Sequence, residues 1–316
     1  MKHYPFLPTP INSLPYFSKI FGVNMVCKRD DLFPDACGGS KARMLQYILA
    51  DVNSKDYDVL VTAGGPCSNF NRACALMCAK LSVPMHLIEY TDEPKEWESL
   101  NYYICKLAGI VTTRCDKSNV PATIESVINY YQSQGKTVKS VYGGGKSVEG
   151  LFAYYEAVEE LSRQIDYIDH VFIACGTGTT LTGICAGMKR FFPSAIVHAI
   201  STARTYDKEL PVLLEDMKIL NDYLGTSYDF SNMVFSDNYL CGGYAKYDEH
   251  IMNVIKQCIS HEGMILDPTY SGKSFYGMVD TIKDNISEYA GKTVLFWNTG
   301  GIMNLLSTQH DNKTSE

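Results

Sequence analysis

A chain of 316 residues, 46% of them hydrophobic and with a net charge of −7, is long enough for two compact domains sharing an interface. The mildly acidic balance without a basic stripe argues against nucleic acid, and no apolar run approaches the roughly 20 residues of a membrane span. Eleven cysteines, an odd number scattered through apolar runs, predict reduced thiols in a cytoplasmic protein and not a disulfide framework.

The amino-terminus, Met1-Lys2-His3-Tyr4-Pro5, lacks the apolar core of a signal peptide. In chain order the pattern predicts a helix over 41–51, a strand over 59–63, a helix over 69–81 and a strand over 85–89. Helices follow over 98–108, 122–131 and 149–164, then a strand over 171–175, a helix over 179–191 and a strand over 196–200. Helices over 247–261 and 273–286 and a strand over 293–297 complete the series. Near-continuous apolar strands, each followed by a helix, predict parallel α/β sheets covered on both faces. Three strand ends run into glycine, at Gly64-Gly65, Gly176-Thr177-Gly178 and Gly300-Gly301. In open parallel sheets ligands bind beyond the carboxyl ends of the strands, so the three loops predict one shared cleft for an anionic ligand.

Familiar motifs fail in detail. Each of the triplets Gly145-Lys146-Ser147, Gly272-Lys273-Ser274 and Gly291-Lys292-Thr293 lacks the earlier glycine of a P-loop; Ser140, Asp267 and Ile286 stand there. Gly176-Thr177-Gly178 is followed by Thr179-Thr180-Leu181, which breaks a dinucleotide fingerprint. The seven histidines show no metal-ligand spacing, so no metal is expected.

Three segments carry chemistry. Gly176-Thr177-Gly178-Thr179-Thr180 lies between a strand and a helix; its N–H groups and hydroxyls suit a monoester phosphate at a helix N-terminus, although an ordinary turn reads the same way. Gly38-Gly39-Ser40-Lys41-Ala42-Arg43 puts a lysine at a helix start. A neighbouring cation and the helix dipole disfavour its ammonium there, which suits Schiff-base formation. Gly64-Gly65-Pro66-Cys67-Ser68-Asn69 sets a hydroxyl and an amide at a helix N-cap, where capping alone would explain either.

Taken together, Lys28-Arg29-Asp30-Asp31, Gly38–Arg43 and Thr62–Arg72 resemble the signature of the 1-aminocyclopropane-1-carboxylate (ACC) deaminase/D-cysteine desulfhydrase family. So do Gly143-Gly144-Gly145, Gly176–Gly183, Asp237–Tyr244, Leu266–Lys273 and Asn298–Gly301, in the right order along nearly the whole chain. The resemblance implies a tryptophan synthase β-like fold of two parallel-sheet three-layer domains, pyridoxal 5′-phosphate (PLP) as cofactor, and a homodimer. The smaller domain is expected over 46–148 and the larger, phosphate-binding one over 1–45 and 149–316, with the cofactor between them. Carried over residue by residue, it implies a Schiff base on Lys41, which also moves protons at the substrate α-carbon. It puts Asn69 on the ring hydroxyl and Ser68 on the substrate carboxylate or in proton transfer. It has Gly176, Thr177, Gly178, Thr179 and Thr180 hold the phosphate, Tyr244 and Tyr270 line the substrate pocket, and Ser271 or Thr299 stand near the pyridine nitrogen.

The departures bear on the substrate. ACC deaminases have glutamate where this chain has Ser271, which argues against cyclopropane opening. Phe70 replaces Gln or His, Met44 replaces a lysine that would be a further phosphate cation, and Asn298 replaces a His. The expected activity is α,β-elimination on a small β-substituted amino acid such as D-cysteine, giving a 2-oxo acid and ammonia, with Phe70 making the pocket more apolar. The alternatives are a β-replacement synthase, since Gly176–Gly183 is also similar to cysteine-synthase loops, an ACC deaminase, and a PLP-binding protein without this chemistry.

Overall fold

The computed structural model describes residues 8–50, 57–92 and 98–311; the Met1–Pro5 segment and residue 51 of the first predicted helix lie outside them. It is an α/β structure built on two sheets. The first has six strands in the order β1-β2-β10-β7-β8-β9. These are β1 (Ile11–Ser13), β2 (Asn24–Arg29), β7 (His170–Cys175), β8 (Ile196–Ser201), β9 (Met233–Ser236) and β10 (Thr293–Asn298). Only β1 runs antiparallel, on β2. The second sheet is parallel throughout, with β5 (Val111–Arg114), β4 (Met85–Glu89), β3 (Val59–Gly64) and β6 (Val138–Val141) side by side. Strands β3, β4 and β7 are buried along their whole length, as expected of parallel strands covered on both faces.

The helices are α1 (Pro15–Phe21), α2 (Ser40–Ile48), α3 (Asn69–Leu81), α4 (Leu100–Leu107), α5 (Val120–Ser133), α6 (Val148–Ser162) and α7 (Thr179–Phe191). They continue as α8 (Tyr206–Leu224), α9 (Glu249–Gln257), α10 (Ser271–Asp284), α11 (Ile286–Tyr289) and α12 (Ile302–Asp311). The predicted elements recur with shifted ends, and α3 and α7 begin and end where the pattern placed them. The helix expected to run to residue 261 closes with a π-turn over Cys258–Glu262, stopped by left-handed Gly263. Helix α8, with β1, α1, β2, β5, β6, β9, α11 and α12, was not anticipated. In α8 the obscuring signal is Pro211. It sits early enough that the carbonyl it leaves unpaired is that of exposed Asp207, while Leu213, Met217 and Leu220 keep the helical stripe buried.

A buried polar cluster fixes α2, and with it Lys41. The Arg43 guanidinium donates to Asp30 Oδ2 and Oδ1 at 3.1 and 2.7 Å, and to Glu160 Oε2 on α6 at 2.9 Å. Asp30 also accepts from Thr9 Oγ1 (2.8 Å), the Tyr154 hydroxyl (2.8 Å) and Trp297 Nε1 (2.9 Å). Burial alone would raise the Asp30 carboxyl, but Arg43 and Lys28 outweigh it and hold it below the usual carboxylate range. The end of β2, α2, α6 and β10 are thereby locked together.

Candidate active site

The three chemistry-bearing segments and Thr299 follow the carboxyl ends of strands: Ser68-Asn69 after β3, the phosphate-loop candidate after β7, Thr299 after β10, and Lys41 past the turn that follows β2. Lys41, half-buried, donates from Nζ to the Gly144 carbonyl at 2.9 Å. Met44 Sδ lies 3.9 Å from the same nitrogen. Burial, outweighing the opposing influence of Cys175, brings this ammonium from the ordinary lysine value down to about 8. At about pH 7.5 that raises the neutral-amine fraction roughly two hundredfold, which is what a nucleophilic lysine needs.

Gly144 joins this lysine to the next loop. It has a left-handed φ of +84°, and a Cβ there would sit 2.5 Å from Thr177 Oγ1, so only glycine lets the two loops meet. Thr177 belongs to Gly176–Thr180, which runs into α7, whose first-turn N–H groups have no acceptors within the helix. Thr179 Oγ1 is buried with no hydrogen-bond partner among the described residues. An orphaned hydroxyl beside such N–H groups, on the loop that meets the Gly144 turn bonded by a partly neutral lysine, fits a group with a phosphate at one end and an aldehyde at the other.

Opposite, the Tyr270 ring borders Gly176, where a Cβ would lie 3.1 Å from it, and its hydroxyl donates to that of Tyr244 at 2.8 Å. Lys273 holds the loop carrying Tyr244: its buried Nζ donates to the carbonyls of Thr202, Leu240 and Gly243 at 3.2, 2.7 and 2.9 Å. The Thr299 carbonyl accepts from the Ser40 N–H at 2.9 Å, which seats the Lys41 helix on the β10 loop. Asn298 caps that loop from below, accepting from the Gly300 N–H at 3.1 Å. On the β3 side Ser68 Oγ accepts from the Asn71 N–H at 3.2 Å and keeps its own proton to donate. Asn69 Oδ1 accepts from Arg72 Nη1 at 2.9 Å.

Three details sharpen the reading of the sequence. Phe70 does not line the pocket. It is 1% exposed and packs with Met44 beneath Gly145, where a Cβ would meet Met44 Sδ at 3.0 Å and the Phe70 ring at 3.1 Å. Gly178 (φ +85°) points its missing Cβ away from the cleft, 2.8 Å from Leu213 Cδ2 and 3.1 Å from Glu209 Oε1. A side chain there would strike α8. Ser271 is 1% exposed, donates to Asp267 Oδ1 at 2.7 Å and accepts from the Asp267 N–H at 2.7 Å, so its hydroxyl proton is already committed. Other features went unseen in the sequence. The Gly144 carbonyl is a backbone group, and the only hint of it was the glycine triplet itself. Glu209 and Asp216 lie behind the phosphate-loop candidate, on the unpredicted helix. Burial pushes Asp216 up to about 6 although Lys146 Nζ lies 3.3 Å away.

A family model described as pyridoxal-phosphate dependent enzyme matches residues 4–300. Among solved structures, the chain is similar to one described as an ACC deaminase homologue, at 30% identity and TM-score 0.87, covering 98% of this chain and 94% of that one. It is also similar to serine racemase from Dictyostelium discoideum, at 15% identity and TM-score 0.69, covering 93% of this chain and 92% of that one. Threonine deaminase isoform 2 from Solanum lycopersicum matches at 16% identity and TM-score 0.67, with 96% and 82% covered. At such identities the last two attest the fold alone, the tryptophan synthase β-like arrangement that the sequence suggested.

Proposed function

The chain belongs to the pyridoxal-phosphate dependent enzyme family, and on that premise we propose that it is a lyase acting by α,β-elimination on a small β-substituted amino acid, releasing a 2-oxo acid and ammonia. PLP supplies the electron sink for charge left on the substrate α-carbon. Lys41 Nζ, with its ammonium lowered to about 8, holds the cofactor and then takes the α-proton. Ser68, whose hydroxyl proton is not given to its helix, receives the substrate carboxylate. Asn69 donates to the cofactor ring oxygen, and the Gly176–Thr180 loop with the α7 N-terminus holds the phosphate. The paired hydroxyls of Tyr244 and Tyr270 border the substrate side chain. We further propose that the four-stranded-sheet unit closes on the six-stranded one to exclude water from the carbanion.

The observation that carries this reading is the state of Ser271. By the family resemblance that position would stand near the pyridine nitrogen, where glutamate would stabilise a protonated ring. Here the side chain is neutral and donates its proton to Asp267. A weaker sink favours a route with a good β-leaving group over ring opening. The test is release of 2-oxo acid from D-cysteine, β-chloro-D-alanine, L-serine, O-acetyl-L-serine and ACC, side by side. Turnover of the β-chloro substrate with little from ACC is expected. Efficient turnover of ACC overturns the argument from Ser271, and turnover of O-acetyl-L-serine only with added thiol replaces the lyase by a β-replacement synthase.

A further inference from the structure

Arg72 takes part in none of the steps above, yet it is 2% exposed and keeps its charge at any working pH. Among the described residues no carboxylate pairs with it, and the titratable groups that face it are the thiols of Cys37 and Cys105. A buried guanidinium without a counter-ion is costly unless its N–H groups are well used.

Nε has no hydrogen-bond partner among the described residues, but the two terminal nitrogens reach two parts of the site. Nη1 donates to Asn69 Oδ1 at 2.9 Å and to Asn101 Oδ1 at 2.8 Å. Nη2 donates to the Ala36 carbonyl at 3.3 Å. Ala36 and Cys37 both have left-handed φ, +47° and +62°, in the turn that leads into Gly38-Gly39-Ser40-Lys41. One side chain therefore sets the distance between the start of the Lys41 helix and Asn69. Asn101 completes the clamp: its Nδ2 lies 3.2 Å from Asn69 Oδ1, 3.0 Å from the Cys67 carbonyl and 2.8 Å from Asn304 Oδ1 on α12. Arginine only donates, so an atom of Asn69 that meets Arg72 must be the amide oxygen. The NH2 group is then turned to the opposite side, and Asn69 keeps part of its surface exposed.

We infer that Arg72 is a positioning residue: it fixes the Asn69 carboxamide with its NH2 directed toward the cofactor ring oxygen, and lends that donor the field of an uncompensated buried charge. The inference rests on the reading of Asn69 as the ring-oxygen partner. A donor backed by a positive charge favours the ionised form of an acidic hydroxyl, so Arg72 lowers the pH at which the bound cofactor changes its visible spectrum.

The test is a spectrophotometric pH titration of PLP-loaded wild type and of the Arg72→Gln, Arg72→Lys and Asn69→Ala proteins, with circular dichroism melts to verify folding. Arg72→Gln is expected to raise the spectral midpoint by about one pH unit, a tenfold change in the equilibrium, and Arg72→Lys by roughly half a unit, since it keeps the charge but loses the fork. A midpoint in folded Arg72→Gln within about 0.2 unit of wild type, with Asn69→Ala displaced upward, overturns the inference while leaving Asn69 in place. If Arg72→Gln does not fold, Arg72→Lys decides: an upward shift supports the clamp, and an unmoved midpoint overturns it. An unmoved midpoint in Asn69→Ala removes Asn69 from the ring oxygen, and this inference with it.

Discussion

Replacing Met44 by lysine tests what makes Lys41 reactive. Met44 Sδ lies 3.9 Å from Lys41 Nζ, and burial, outweighing the opposing influence of Cys175, is what brings that ammonium down to about 8. A second ammonium about 4 Å away would cost roughly 4 kcal/mol at an effective dielectric of about 20, equivalent to about three pH units. A lysine at 44 has a flexible stem and can retreat, so a further fall of about one unit is the working expectation. Met44→Leu, of similar volume and uncharged, leaves the value near 8. The assay is the rate of PLP capture by cofactor-free protein, followed by absorbance between about pH 5.5 and 9.5. Only the neutral amine attacks, so the rate climbs with pH and levels off at the lysine midpoint. Expected midpoints are about 8 for wild type and Met44→Leu, and about 7 for Met44→Lys. A pH-stability curve would not isolate Lys41, because burial also draws Lys273 down to about 8. Each lysine binds more protons unfolded than folded above its folded midpoint, so both add stability as pH rises from about 8 toward the ordinary lysine value. A wild-type midpoint above about 9.5, or a Met44→Lys profile superimposable on wild type, refutes the burial account.

Borohydride treatment of the loaded protein should fix the cofactor on Lys41, as peptide mass mapping would read; an adduct on Lys146, paired with Glu215 and Asp216, or on Lys273 would displace the site. Gly178→Asp should lose PLP and about 2 kcal/mol or more of stability, because it forces a side chain into left-handed backbone against Glu209. Full PLP absorbance with an unchanged melting temperature would mean that the loop tolerates what its geometry forbids. Asp30→Asn leaves Arg43 and Lys28 facing one carboxylate fewer, and should cost about 3–5 kcal/mol in urea unfolding; a loss under about 1 kcal/mol would show that the cluster has another acceptor. Because Asp30 is held below the usual carboxylate range, its contribution is complete above that range and fades as pH falls through its lowered value.

Much of the fold was legible where one face or both faces of an element are apolar. The fully buried β3, β4 and β7 and the capped α3, whose Ser68 Oγ accepts from the Asn71 N–H, announce themselves through uninterrupted hydrophobicity and an N-cap. The strands that escaped notice give no such signal: β5 is mostly exposed and β9 only partly buried, so each is a strand by virtue of the neighbour it pairs with. The candidate site was legible as a set of side chains and not as a set of directions. Lys41, Thr177, Tyr244 and Tyr270 do converge, by the contacts Lys41–Gly144, Gly144–Thr177, Gly176–Tyr270 and Tyr270–Tyr244. Which way Gly178 opens, or whom Ser271 bonds, depends on α8 and on Asp267, and spacing along the chain holds no information about either.

Direction also decides what the departures from the family pattern mean. Along the sequence Met44 and Phe70 are two separate losses, one of a phosphate cation and one of a polar pocket residue. In space they are a single change, since both press on Gly145 and both are buried, at 0% and 1% exposure. A polar side chain introduced at one of these positions alone would lie against an apolar partner in the core; an apolar pair satisfies the site without any hydrogen bond. The effect therefore falls first on Lys41, whose Nζ has Met44 Sδ at 3.9 Å and the Gly144 carbonyl as its acceptor. Removing a cation and a hydrogen-bonding partner from that neighbourhood leaves desolvation as the dominant influence on the amine. The groups proposed to choose the substrate, Ser68, Tyr244 and Tyr270, lie on the other loops and keep the residue types of the family. The Met44 and Phe70 departures thus bear on the surroundings of the lysine, while the departure that bears on the substrate is Ser271.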